Sequence, residues 1–312
     1  MDGPASRSPR SSHSSLRSAA IAPADGLLGA ACRLYTASFL RCLPLALLGT
    51  LASTAAAAFA SARVSALSGR FSALLHVDLS APDQLITAYG QAVTRAHALL
   101  RSPAVWVSYA GAALIVLVFH GALIARQDAV AHARADSLGT VLGAALRRLP
   151  DIVLALVIFA AAAAAGVLAL QAASVAGLAV LTLLGLAVTL LAVWLWGRLQ
   201  LWLVAMFTED VGALGAMGRS WMLVRGHWLR ASALTTVPYL VIFVFSSAAD
   251  AAAGAAAGLV SGDASTSSML AAVLSLVSGT LTLPMLPAVW LALYYRLCDA
   301  GASGAGSSAA GK

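Results

Sequence analysis

Residues Ile152 to Gly197 read IVLALVIFAAAAAAGVLALQAASVAGLAVLTLLGLAVTLLAVWLWG, 46 residues without a charged side chain. As a single helix this stretch would be about 69 Å long at 1.5 Å per residue, more than twice the hydrocarbon thickness of a bilayer. It must therefore double back as two membrane spans. Its most polar interior point is Gln171-Ala172-Ala173-Ser174, followed by Gly177, and the hairpin is expected there.

The same reading carries outward along the chain. Leu43 to Ala60, Ser102 to Ala125 and Ala231 to Ala249 each supply one crossing, and Ala264 to Tyr295 supplies the last, with Pro284 and Pro287 inside it. Such prolines are tolerated where neighbouring groups satisfy the freed carbonyls. Six spans follow, at approximately 43–61, 104–125, 151–171, 176–206, 231–253 and 269–295. The predicted fold is an all-α integral membrane six-helix bundle occupying 27–299, between a disordered tail (1–26) and a flexible Gly/Ser/Ala tail (300–312).

Composition agrees, with 61% hydrophobic and 10% charged residues and a mean hydropathy of +0.89. Those values exclude a disordered or collagen-like chain. The net charge of +7 does not point to nucleic acid, because the arginines lie between apolar runs and not among interleaved aromatics. Fifteen Arg and Lys fall on the side of the termini and four on the opposite side, all of these in the 61–103 loop. The positive-inside rule then places both termini in the cytoplasm of a bacterial inner (plasma) membrane. The N-terminal 26 residues lack an apolar core and are not read as a secretory signal. In the external loop, Ser80-Ala81-Pro82-Asp83 starts a short surface helix continued by Leu85, Tyr89, Ala92 and Ala96.

Three segments begin alike, Leu28-Gly29-Ala30, Leu138-Gly139-Thr140 and Leu214-Gly215-Ala216, and each leads into an arginine-bearing amphipathic stretch and then a span. They predict three units, each an amphipathic elbow helix in the cytoplasmic interface followed by a helical hairpin. On the third elbow, Leu214, Met217, Trp221, Val224 and Trp228 form an apolar stripe, with Arg219 and Arg230 opposite and Arg225 at its edge. Glu209-Asp210 would sit at its N-terminus, with Asp210 as cap. The stripe and its arginines suit either an elbow that orients span five or a site for anionic lipid headgroups. The pair Gly177/Gly185 and the alanine run 160–165 are expected to carry close helix packing.

Arg198 to Arg230, RLQLWLVAMFTEDVGALGAMGRSWMLVRGHWLR, resembles the glycerophosphoryl diester phosphodiesterase membrane-domain family and its YciC-like inner-membrane relatives. The likeness rests on an Arg-bearing span ending in an acidic pair, then on Arg219, Ser220, Trp221, Leu223, Gly226 and Trp228 of an R-S-W-x-L-x-x-G-x-x-W pattern. Leu291 to Leu297 also looks like that family's closing span, without the acid usual after the tyrosines. The resemblance implies a six-span membrane part only. A phosphodiesterase would need a His pair and metal-holding carboxylates, whereas this chain has a single glutamate and no His-Arg-Gly motif.

No catalytic, cofactor-binding or metal-binding residue is predicted, and Cys32, Cys42 and Cys298 form no CxxC pair. Intramembrane polar residues are functional candidates by default. They are His120 near the cytoplasmic end of span two, Asp250 near the outer end of span five, and Arg198, which either pairs with Glu209 or extends toward the headgroups. Two functions fit the sequence. One is a non-enzymatic protein that organises lipid or a protein partner through its cytoplasmic elbows. The other is a transporter or permease subunit for a small solute or lipid, against which stands the lack of Gly/Pro-broken helices at matching positions of the units.

Overall fold

The computed structural model describes residues 26–68, 102–176, 178–260 and 264–309. Within them all regular structure is helical: α1 (Leu27–Ser68), α2 (Pro103–Ala131), α3 (Leu138–Arg147), α4 (Leu149–Ala176), α5 (Leu178–Leu199), α6 (Trp202–Thr208), α7 (Ala213–Leu223), α8 (Trp228–Val260), α9 (Ala264–Thr282) and α10 (Met285–Ala309). Six stretches are long and apolar enough to cross a bilayer, namely Leu27–Ala60, Pro103–Ala131, Leu149–Gly166, Leu183–Thr208, Trp228–Ala256 and Met269–Ala300. The chain is accordingly an all-helical, multi-pass membrane protein by the length and composition of its helices. The N-terminal tail and the surface helix expected from residue 80 lie outside the described residues.

The chain divides into two compact units. The smaller, Gly49–Leu117, holds the second half of α1 and the first half of α2. There Ala60 and Val105 are buried, and Ser108 turns its hydroxyl back to the Ala104 carbonyl at 2.7 Å, so that a polar side chain on an apolar helix keeps a partner. The larger unit comprises the remainder and contains everything described below.

Gly166 of α4 lies against Val188 of α5, where an added Cβ would come within 3.2 Å of the valine methyl. The two helices thus run back along each other, as the 46-residue stretch requires. The reversal falls later than expected, because Gln171 to Ser174 are helical and α4 continues to Ala176. In a bilayer nothing competes with the helix for these backbone groups, so a few polar side chains do not end it. Ala160 to Ala165 are exposed and so do not supply the expected packing, while Gly177 lies outside the described residues.

Two of the spans are interrupted. Span four breaks at Gln200-Leu201, between α5 and α6, and span six at Leu283-Pro284, between α9 and α10. Each break is satisfied by side chains from elsewhere. Ser220 of α7 donates to the Arg198 carbonyl at 2.9 Å and accepts from the Leu201 amide at 3.2 Å. The Leu281 carbonyl, freed by the break, accepts from the Tyr35 hydroxyl at 2.8 Å, and the Pro284 carbonyl accepts from Nε2 of the fully buried Gln127 at 2.8 Å. An unpaired carbonyl in hydrocarbon would cost several kcal/mol, so Ser220 and Tyr35 supply partners the breaks would otherwise remove, while the Pro284 carbonyl accepts from the Ala288 amide as well as from Gln127. Pro287 sits in the first turn of α10, where its missing N–H is no loss.

The three predicted elbows differ from one another. The first is the opening of α1, which continues without interruption through Pro44, since no cap or left-handed residue separates Leu28 from span one. The second is α3, a separate helix closed by a Ser137/Thr140 capping box. The third is α7, separated from α8 by a turn in which Gly226 has φ +83°. At the other end of the chain, α10 runs on to Ala309, into the stretch expected to be a flexible tail; alanine there favours the helix.

Candidate functional site

Spans two, four and six all end on polar side chains, and these converge. Asp128, close to the end of α2, is buried, and it accepts from the Tyr295 hydroxyl through Oδ1 and from Arg134 Nη2 through Oδ2. His132 Nδ1 lies 3.3 Å from the same Oδ1 and 2.9 Å from the Asp128 carbonyl, with its ring edge-on to Tyr295 at 5.8 Å. Glu209, directly after α6, accepts from Arg219 Nε at 2.8 Å and from the Tyr294 hydroxyl. Arg219 Nη2 lies 4.0 Å from Cys298 Sγ. Together these residues line a cavity of about 600 Å³.

Local structure explains how they meet. Tyr294 and Tyr295 are consecutive on α10, so about 100° of helical rotation separates them and each hydroxyl reaches a different neighbour. Ala133 takes a left-handed conformation with φ +50° just past α2, and the Arg134 amide returns to the Ala129 carbonyl at 2.8 Å. This C-terminal reversal folds Arg134 back over Asp128. Arg219 is brought in by α7, whose buried side consists of Ala213, Ala216, Met217 and Ser220. The hydrogen bond from Arg219 to Glu209 outweighs burial and raises the affinity of the guanidinium for its proton.

A second cluster fixes the approach of α7. Asp151 Oδ1, from the first turn of α4, accepts from the Ala213 amide at 3.0 Å and so caps α7 from outside. The expected cap, Asp210, turns away in a left-handed conformation with φ +56° and pairs with Arg148, which also holds Asp151 at 3.2 Å. Gly212 fits this close approach, since a Cβ there would lie 3.1 Å from the Asp151 oxygen.

The motif read from the sequence acts largely inside the molecule. Arg219 does not stand free on the outer face but pairs with Glu209; of the expected stripe Met217 and Val224 are buried, while Leu214 is exposed. The helix is rotated so that its small residues pack inward, which permits a closer approach than Leu214 and Trp221 would allow. Ser220 bridges the break in span four, as described. Trp221 meets Trp194 edge-on at 5.0 Å, and the Arg198 guanidinium lies 4.9 Å from the Trp221 ring and 5.5 Å from the Trp194 ring. Glu209 therefore pairs with Arg219 and not with Arg198, which is held by cation–π contacts. Trp228 packs beside Gly197, and Arg225 and Arg230 are exposed. His120 is buried with its ring 6.0 Å from Trp290, outside the cavity lining, and of Asp250 the structure describes only its helical backbone in α8.

Replacing Ser220 by Ala should cost about 1–3 kcal/mol, because the buried Leu201 amide and Arg198 carbonyl lose their partner. Arg225→Ala should stay within about 0.5 kcal/mol. Chemical unfolding in detergent measures both, and equal effects would remove Ser220 from this role.

Asp128, His132, Arg134, Tyr294, Tyr295 and Cys298 were not among the sequence candidates; Glu209 was considered only as a cap or a partner for Arg198. The available signal was an acid at the polar end of spans two and four, with adjacent tyrosines near the end of span six. Among the described residues, no three His, Cys, Asp or Glu cluster closely enough to hold a metal ion. Residues 36–297 match a protein family described as "Domain of unknown function (DUF7847)". No curated protein and no solved structure matches the chain.

Proposed function

The chain belongs to the DUF7847 family, and we propose that it is a non-enzymatic, multi-pass inner-membrane protein that binds a small polar group in the cavity at the ends of spans two, four and six. The carrying observation is the tyrosine pair of α10, whose hydroxyls tie together acids from two other spans around about 600 Å³ of open space. The cavity opens to its surroundings, and a concave site with a few convergent polar groups is the ordinary place for a small ligand. The excess of Arg and Lys on the side of the termini supports a cytoplasmic cavity, with α3 and α7 as cytoplasmic interfacial helices of elbow-plus-hairpin units. Those helices, with exposed Arg225 and Arg230, suit contact with anionic lipid. The R-S-W-x-L-x-x-G-x-x-W pattern from Arg219 to Trp228 is the ground for reading the chain as akin to the glycerophosphoryl diester phosphodiesterase membrane domains.

A second reading, a transporter or permease subunit, gains from the two broken helices. They are the second spans of units two and three, and each runs from its break into the cavity. Discontinuous helices at corresponding places are a recurring device of transporters. Flux of a bound compound into proteoliposomes would distinguish carriage from binding.

The test of the site is a thermal-shift screen of amines, zwitterions, anions and sugars on the detergent-purified protein. At least one class should raise the melting temperature, and Cys298→Trp, which fills the cavity, should abolish the response. No response from any class, or an unchanged response in the filled variant, contradicts the reading.

A further inference from the structure

The cavity is lined by both signs of charge, but they are not equally available. The Asp128 side chain is 7% exposed and Glu209 31%, against 59% for Arg134, 38% for Arg219 and 34% for His132. Each carboxylate is also committed. Asp128 accepts from Tyr295 and Arg134, and Glu209 from Tyr294 and Arg219. A cationic ligand would have to displace a guanidinium or a tyrosine hydroxyl to reach either acid.

The guanidiniums stand differently. Each has five N–H donors in a planar fork. Arg134 holds Asp128 through Nη2 and Arg219 holds Glu209 through Nε, so both keep further donors while their acids fix their orientation. An anion can meet those donors without breaking any bond already present. Two arginine forks lining one cavity suit an acceptor with oxygens pointing several ways, which a tetrahedral phosphate offers and a planar carboxylate does not.

We propose that the cavity takes a phosphate ester, with Arg134 and Arg219 binding the phosphate oxygens and the remaining volume receiving the ester group. The inference rests on the reading of the cavity as a binding site. The phosphate has two possible sources, a soluble ester or a phospholipid headgroup.

The experiment uses the full chain in neutral detergent at fixed ionic strength, with ethyl phosphate in one arm and micelles carrying phosphatidic acid in the other. Melting temperature and calorimetric affinity are read for wild type, Arg134→Gln and Arg134→Lys. Arg134 is mostly exposed, which leaves the fold of the variants testable by their unliganded melting temperature. Wild type should be stabilised, Arg134→Gln should bind on the order of tenfold more weakly or worse, and Lys should recover part of the loss. A response to ethyl phosphate identifies a soluble ester, and one to phosphatidic acid alone identifies a lipid. Equal affinity in wild type and Arg134→Gln, or no response in either arm, overturns the phosphate assignment. If the amines, zwitterions or sugars of the wider screen respond in its place, the phosphate fails while the cavity stands; if nothing responds, both fail.

Discussion

Replacing Arg126 by Met is expected to destabilise the protein by about 3–5 kcal/mol, because it strands a carboxylate that the fold has removed from water. Arg126 Nη1 lies 2.7 Å from Asp136 Oδ1 and donates to the Asp136 carbonyl at 3.0 Å, and both side chains are close to 90% buried, at 11% and 12% exposure. The pair joins the end of α2 to the segment leading into α3, so its loss should loosen the entry to α3. Arg126→Met with Asp136→Leu should restore most of the stability, since removing both charges also removes the desolvation cost. Denaturant unfolding of the two single variants and the double variant checks this, and a double variant as unstable as the sum of the singles would contradict it.

Asp128→Ala should cost about 2–4 kcal/mol, slightly less because one of its partners, Arg134, can turn to water. Tyr295, by contrast, is buried. Tyr295→Phe should then be the milder change, and the double variant should cost less than the sum of the two singles, because the two groups share one hydrogen bond. Additive effects in the double variant would mean that the two groups do not act on each other.

The spans were legible because hydropathy and helix length are local properties, and the 46 uncharged residues from Ile152 to Gly197 leave no other solution than two crossings. The breaks were only partly so. Pro284 announces a disturbance in span six, but Gln200-Leu201 contains neither proline nor glycine. Its break depends on Ser220, whose hydroxyl replaces the lost helical partners. Amphipathic spacing found Met217 and Val224 on the buried face of α7 but missed Ala213, Ala216 and Ser220, because it ranks residues by hydrophobicity whereas close packing also selects for small size. The cavity was the least legible feature. Tyr295 and Asp128 are 167 residues apart, Tyr294 and Glu209 85, and no periodicity within a segment records which span ends will meet.

The central claim, a polar cavity at the cytoplasmic ends of the spans, is most directly tested with Cys298, which lines it. With Cys32 and Cys42 replaced by Ser, Cys298 is the sole thiol, and a membrane-impermeant maleimide is applied to intact cells and to inverted vesicles. The account predicts labelling in inverted vesicles and none in intact cells, with the opposite pattern when Leu75→Cys in the external loop is the sole thiol. Labelling of Cys298 from outside intact cells would contradict it.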